Sequence, residues 1–156
     1  MNTISSSFHE IMMRHALVIA RQNPKHPFGA VIASFTGDVI AEGVNRVPEN
    51  PTWHGEIDAI NECVNSHSDP DWSQYILYST AEPCPMCLSA ILWTGIPAVV
   101  YGTSVATLKR LGWDQFDLSS GYLIEQSWTS EFQLQGGVLE EECDELFIQA
   151  RQSHQS

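Results

Sequence analysis

Between Val47 and Leu108 the chain carries neither lysine nor arginine, and in all 156 residues there are only seven. Nineteen Asp and Glu stand against them, giving a formal net charge of -12. A nucleic-acid binder draws most of its affinity from basic groups laid along the phosphate path. Here Arg14, Arg21, Lys25, Arg46, Lys109, Arg110 and Arg151 are scattered, and only Lys109 and Arg110 adjoin. A nucleotide monophosphate would likewise want an arginine or a helix N-terminus at its phosphate. The charge pattern therefore speaks against nucleic acid and for a small, uncharged substrate. No apolar run is long enough to span a bilayer, so no membrane partner is expected. Met1 to Ser7 has neither a basic segment nor a long apolar core, so no secretory signal is expected. Cysteine is scarce too, at four, and a disulfide framework is not indicated; a reducing cytoplasm is the simplest home. Internal repeats, low-complexity tracts and linkers are absent, which fits a single domain over 1–156.

What is present alternates between two periods. Ser7-Phe8-His9-Glu10 reads as a capping box opening a helix to about Gln22, with Phe8, Ile11, Met12, His15, Val18 and Ile19 at helical spacing. His15 lies beside that stripe as a packing residue. Phe28 to Phe35 and Val39 to Val44 read as a hairpin about Thr36-Gly37-Asp38. Gly29 marks a close approach, with a ligand as one possible neighbour. A helix over 54–66 should turn Ile57, Ile60 and Val64 inward. Gln74 to Thr80 and Ala98 to Tyr101 read as buried strands, Pro85 to Trp93 and Thr103 to Leu111 as helices. The order is that of an α/β protein, a central mixed sheet flanked by helices, with parallel strands wherever a helix intervenes. Beyond Gly112 the pattern weakens until Leu139 to Gln152, an acidic amphipathic helix built on Leu139, Cys143, Leu146, Phe147 and Ala150.

The chemistry gathers between His54-Gly55-Glu56 and Pro83-Cys84-Pro85-Met86-Cys87. One imidazole and two thiolates suit zinc, and three protein ligands leave the fourth tetrahedral position open, as in catalytic rather than structural sites. One zinc ion per chain is expected on His54, Cys84 and Cys87. Pro83 and Pro85 suit the start of a helix, which places both thiols near its positive end and favours thiolates. Glu56, two residues past the histidine, is placed to move protons to and from water without binding metal. A structural zinc site would need a fourth ligand; Cys63 and His67 sit too far along the helix to supply it. A redox C-x-x-C would leave His54 and Glu56 unexplained.

The paired motif H-x-E and P-C-x-x-C resembles that of the zinc-dependent cytidine-deaminase-like superfamily. Pro27-Phe28-Gly29-Ala30-Val31-Ile32, Ala41-Glu42-Gly43 with Asn45, and Leu77-Tyr78-Ser79-Thr80 leading into Glu82 resemble its guanine deaminase and tRNA-adenosine deaminase branch. The likeness runs from the first helix to about Trp113. It implies a three-layer α-β-α fold, hydrolytic removal of an amino group from a purine base or nucleoside, guanine-type first, and a homodimer. It also implies that Asn45 binds substrate. Phe28, the backbone at Ala81 and Glu82, and Trp93 at the end of the cysteine helix are further substrate-side candidates. Of the aromatic residues Phe28, Trp53, Trp93 and Trp113, the second and third are favoured as pocket walls by their nearness to the ligands. His9, His26, His67 and His154 read as surface residues.

Two departures bear on substrate. Guanine deaminases carry a Gly-Phe-Asp-Asp-like run where this chain has Gly112-Trp113-Asp114-Gln115, the second acid coming from a swapped C-terminal segment of the partner. Gln115 cannot carry a proton, so either Asp114 or Asp117 replaces that acid or the substrate is not guanine. Gly55 stands where the branch usually has Ala, and fungal-type cytosine deaminases share the His-Gly-Glu reading. A cytosine-type enzyme, a tRNA-adenosine deaminase and a non-catalytic zinc-stabilised module are the alternatives.

Overall fold

The computed structural model describes residues 4–129 and 131–154, so that Met1 to Thr3 of the stretch inspected for a signal lie outside the described residues. Its elements run α1 (Ser6–Ala20), β1 (Gly29–Ser34), β2 (Val39–Val44), α2 (Gly55–Ser66), β3 (Tyr75–Ala81), α3 (Pro85–Thr94), β4 (Ala98–Thr103), α4 (Val105–Arg110), α5 (Ser120–Glu125), β5 (Gln133–Gln135) and α6 (Glu140–His154). The sheet has the order β2-β1-β3-β4-β5. β1 pairs antiparallel with both β2 and β3, whereas β3, β4 and β5 run parallel. The expected mixed sheet is observed, and the crossover through α3 gives the parallel pair.

Period-two alternation sorts the core into two faces. Val31, Ala33, Ile76, Tyr78 and Val100 pack beneath Met12, Met13, Ala16 and Leu17 of α1 and Cys143 of α6. Ala30, Ile32, Leu77 and Val99 pack beneath Ala59 and Cys63 of α2 and Ile91 of α3. β3 is buried along its whole length because helices cover it on both sides. No helix among the described residues is long and apolar enough to cross a membrane.

Local details differ from the sequence expectation. Ser5, not Ser7, caps α1, its hydroxyl accepting from the Phe8 N–H at 3.2 Å. The buried stripe of α1 is His9, Met12, Met13, Ala16, Leu17, Ile19 and Ala20, leaving Ile11 and Val18 exposed. The stripe is turned because the helix lies on the β1 backbone: a Cβ on Gly29 would stand 2.6 Å from both Ala16 O and Ala20 N. Only the side carrying small residues can come that close, so the neighbour of Gly29 is α1 and not a ligand. α2 is turned as well. It buries Glu56, Asp58, Ala59 and Cys63, with Ile57 and Ile60 half-buried and Val64 exposed. Asp58 explains part of that, since its carboxylate accepts from the Val44 N–H at 2.9 Å and from Arg46 Nε at 3.0 Å. α5 and the three-residue β5, both short, have no counterpart in the sequence reading.

His9 is buried rather than on the surface, with Nδ1 2.8 Å from the Tyr78 hydroxyl. Burial lowers the His9 pKa below its ordinary 6.5. As pH falls through 6.5 the unfolded chain protonates before the folded one, so stability is complete above that value and declines below it. Chemical denaturation of wild type and His9→Gln at pH 7.5 and 5.0 should show a steeper loss in the wild type. His9→Leu strands a buried hydroxyl and should cost about 1–3 kcal/mol at neutral pH.

Candidate active site

α1, α4 and α5 begin on serines whose hydroxyls accept the orphan N–H groups of the first turn. α2 and α3 begin on His54 and Cys84, and neither side chain caps its helix. Both are turned toward one another instead. His54 Nδ1 lies 3.7 Å from Cys84 Sγ and 3.5 Å from Cys87 Sγ, the latter in the first turn of α3. Two positive helix ends meet here, an environment that favours thiolates.

The donor set fits zinc by its own dimensions. Bonds of about 2.3 Å to sulfur and about 2.0 Å to nitrogen at tetrahedral angles put S and N about 3.6 Å apart. The observed separations match, and the three donor atoms all lie within 4.8 Å of one another. No fourth His, Cys, Asp or Glu joins the group among the described residues, and Cys63 is buried in the α2 core. The Cys84 thiol is brought down to about 4, chiefly by the hydrogen bond from Cys87 and then by His54. Cys87, hydrogen-bonded to Cys84 and buried, is held well above its ordinary value. His54 is raised by its hydrogen bond to Cys84.

Glu56 lies one helical step beyond, buried, with Oε1 accepting from the Ser79 hydroxyl at 2.9 Å. Burial pushes its carboxyl above the ordinary carboxylate value, and the nearby Cys84 adds to the effect. Its face of α2 is reached because the helix rides on bare backbone: a Cβ on Gly55 would stand 2.3 Å from the Phe28 carbonyl oxygen.

A cavity of about 380 Å³ opens over these groups. His54, Glu56 and Cys84 line it together with Phe28, Asn45, Trp113, Asp114, Gln115 and Arg151, and Asp114 and Gln115 share an adjoining recess with His54 and Cys84. Asn45 is buried, and its Oδ1 accepts from the Val47 N–H at 3.0 Å, leaving the NH2 end available to a ligand. The turn role and a binding role thus coexist in one side chain. The Asp58 clamp on Val44 and Arg46 fixes the backbone on either side of it.

Other candidates sit elsewhere. Trp93 is 76% exposed and rests on Trp128, with ring centroids 4.6 Å apart. Six residues past Cys87 it lies about 9 Å further along the helix axis, beyond the cavity. Trp53 packs under Arg46, whose Cζ is 5.8 Å from the ring centroid. The pocket aromatics are the other two, Phe28 and Trp113, edge to face at 5.3 Å and both packed on Phe147. Ala81 is part of that core and does not line the cavity; its N–H points to Ser79 Oγ at 3.4 Å. Glu82 lines the cavity, but its carboxylate accepts from the Val105 N–H at 3.2 Å and the Ser120 hydroxyl at 2.7 Å, bracing α4 and α5. Asp117 pairs with Lys109 outside the cavity.

Arg151, His26 and His154 line the cavity too, and two of these read as surface histidines from the sequence. His26 and His154 have centroids 5.3 Å apart, and burial with the charges of His154 and Lys25 lowers the His26 pKa. No short motif announces this set; α6 closes back over Gly112 through the packing of Phe147 on Phe28 and Trp113 and of Arg151 and His154 on Trp113.

Residues 6–103 match the family described as the cytidine and deoxycytidylate deaminase zinc-binding region. Guanine deaminase of Bacillus subtilis is 37% identical over 112 residues, covering 68% of this chain and 71% of that protein. The tRNA-specific adenosine deaminase of Haemophilus influenzae is 33% identical over 156 residues, covering 95% of this chain and 87% of that one. Among solved structures, guanine deaminase from Nitrosomonas europaea superposes with a TM-score of 0.75 at 23% identity, over 92% of this chain and 84% of that chain, a likeness of fold.

Elemental analysis of protein purified without chelator should find one zinc per chain. Cys87→Ser and His54→Ala should each fall well below half occupancy, because the remaining two donors leave the ion weakly held.

Proposed function

The chain belongs to the cytidine and deoxycytidylate deaminase zinc-binding family, whose members are hydrolytic deaminases, and within it we propose a free purine base or nucleoside, guanine-type, as the substrate. The observation that carries this reading is the cavity. It is of small-molecule size, walled by Phe28 and Trp113, and reaches the metal ligands and Glu56 at its base. Zinc, when held by His54, Cys84 and Cys87, supplies a Lewis acid that brings the pKa of a water to about 7.

The protein's own groups do the rest. Phe28 offers its ring to a face of the base, and the Asn45 NH2 donates to an acceptor at its edge. Glu56 takes a proton from water and passes it to the ring nitrogen beside the amino-bearing carbon, then to the amino group as it leaves. A C–O bond forms, the C–N bond breaks, and ammonia departs. Ser79 donates to Oε1 and so fixes the carboxylate where it can pass a proton between water and substrate. A carboxyl with a raised pKa is suited to carry a proton near neutrality. The acid missing at Gln115 leaves the neighbouring Asp114 as a carboxylate lining the cavity.

A second reading has an observation of its own: the tRNA-specific adenosine deaminase of Haemophilus influenzae matches nearly the whole chain. The basic groups that tRNA would need are missing from Val47 to Leu108, so the small-molecule reading is preferred. The same proposal takes the protein as a cytoplasmic homodimer, supported by the exposed Trp93–Trp128 pair, apolar surface of the kind that marks protein contacts.

Glu56→Gln should keep zinc and lose turnover by at least about a thousandfold, given what proton transfer and its coupling to water contribute. Near-wild-type rates in that variant would remove Glu56 from the mechanism. Ammonia release measured across guanine, guanosine, adenine and cytosine should be fastest with guanine-type compounds. Retention of tRNA at low salt, with inosine formation, would favour the second reading instead.

A further inference from the structure

Five buried polar side-chain atoms among the described residues lack a hydrogen-bond partner, and three of them belong to residues lining this one cavity. They are Trp113 Nε1, Gln115 Oε1 and Arg151 Nε. All three residues line the cavity that also holds the metal ligands His54 and Cys84 and Glu56. Unpartnered buried donors and acceptors are rare in native proteins and need a reason.

Their chemistry is specific. The Trp113 indole only donates, and Arg151 presents a planar fork of donors with no accepting atom. The fork is held flat: its Cζ lies 5.5 Å from the Trp113 ring centroid, and a Cβ at Gly112 would stand 3.2 Å from its terminal nitrogen. Arg151 has no carboxylate within 4 Å among the described residues. The nearby Glu82 carboxylate is already spent on Val105 and Ser120. The wall is therefore two donors with one amide that both donates and accepts.

A 6-oxopurine presents the complement. Its O6 and N7 are adjacent acceptors that an arginine fork meets bidentately, and its N1–H is a donor an amide oxygen can take. Adenine shows a donor at position 6 and cytosine has no such edge. With the 2-amino carbon at Glu56, the O6 and N7 edge of the ring faces away from the metal. We propose that Trp113, Gln115 and Arg151 are the specificity wall of this enzyme, reading the carbonyl edge of a 6-oxopurine. Gln115 thus serves recognition rather than proton transfer. The inference rests on the purine reading above and names the feature of the purine that is selected.

The test uses the zinc-loaded full chain and kcat/KM for ammonia release from guanine, 2-aminopurine, which lacks a 6-substituent, and 2,6-diaminopurine, which has a donor there. The wild type should prefer guanine strongly. Trp113→Phe and Arg151→Met should each lower kcat/KM for guanine about 10- to 100-fold and lower that for 2-aminopurine, which keeps N7 but not O6, by much less, so that the preference collapses. Arg151→Lys should not rescue, because a point charge cannot replace the fork. Binding gives a second readout independent of turnover. In Glu56→Gln, guanine should displace fluorescent 2-aminopurine readily, and the added Arg151→Met should weaken guanine binding far more than that of 2-aminopurine. Equal losses on both bases, or none, would overturn the proposal and leave these residues a structural role. Trp113→Phe keeps the ring packed on Phe28 and Phe147, so a misfolded Arg151 variant does not spare the idea. A wild type that releases ammonia from no 2-amino base would sink the purine reading itself, before any variant is made. Activity confined to nucleotides, lost with Arg151, would overturn the carbonyl-edge proposal in favour of a phosphate at that wall.

Discussion

Two helix N-termini must meet closely enough that one imidazole nitrogen and two sulfurs stand 3.5–3.7 Å apart on the measured edges. Everything else in the structure serves that encounter. α3 starts directly after the buried central strand β3, so Cys84 and Cys87 are positioned by the most rigid part of the sheet. α2 is brought in by lying on bare backbone: a Cβ on Gly43 would stand 2.2 Å from Ala59 N, and one on Gly55 2.3 Å from Phe28 O. His54 and Cys84 forgo the usual capping role, and the N–H groups that serine or aspartate would satisfy lie beside the metal ligands.

The same packing explains which parts of the molecule could be read from its sequence. The ligands and Glu56 are legible because their chemistry is written into residue type and spacing. The sheet order follows from alternation and from helices between strands. The inner face of α2 was not legible by hydrophobicity, since it is occupied by Glu56 and Asp58, one bonded to Ser79 and one to the end of β2. Apolar Val64 is left outside in consequence. α1 offered two stripes at the same period, and the choice between them was made by Ala16 and Ala20 fitting over Gly29, a size effect that a polarity pattern ignores.

The aromatic residues teach a related lesson. Nearness in sequence to a ligand pointed to Trp53 and Trp93, whereas the cavity is walled by Phe28 and Trp113. Phe147, far along the chain, gathers Phe28 and Trp113 into one cluster and brings Arg151 with it. Charge reads differently once the chain is folded. A segment of sixty-odd residues without lysine or arginine spoke against nucleic acid and for a small, uncharged substrate, and α6 delivers one arginine from outside that segment to the cavity wall. An acidic protein thus places an arginine in the lining of the cavity that holds its metal ligands. That arrangement suits one small molecule with an accepting edge better than a phosphate backbone.

The account stands on an open three-ligand centre, and X-ray absorption at the zinc edge of the resting protein tests it most directly. Two sulfurs at about 2.3 Å, with nitrogen or oxygen scatterers at about 2.0 Å completing four-coordination, are expected. A shell of three or four sulfurs, or of nitrogen and oxygen alone, would contradict the assignment of His54, Cys84 and Cys87 and the chemistry built on it.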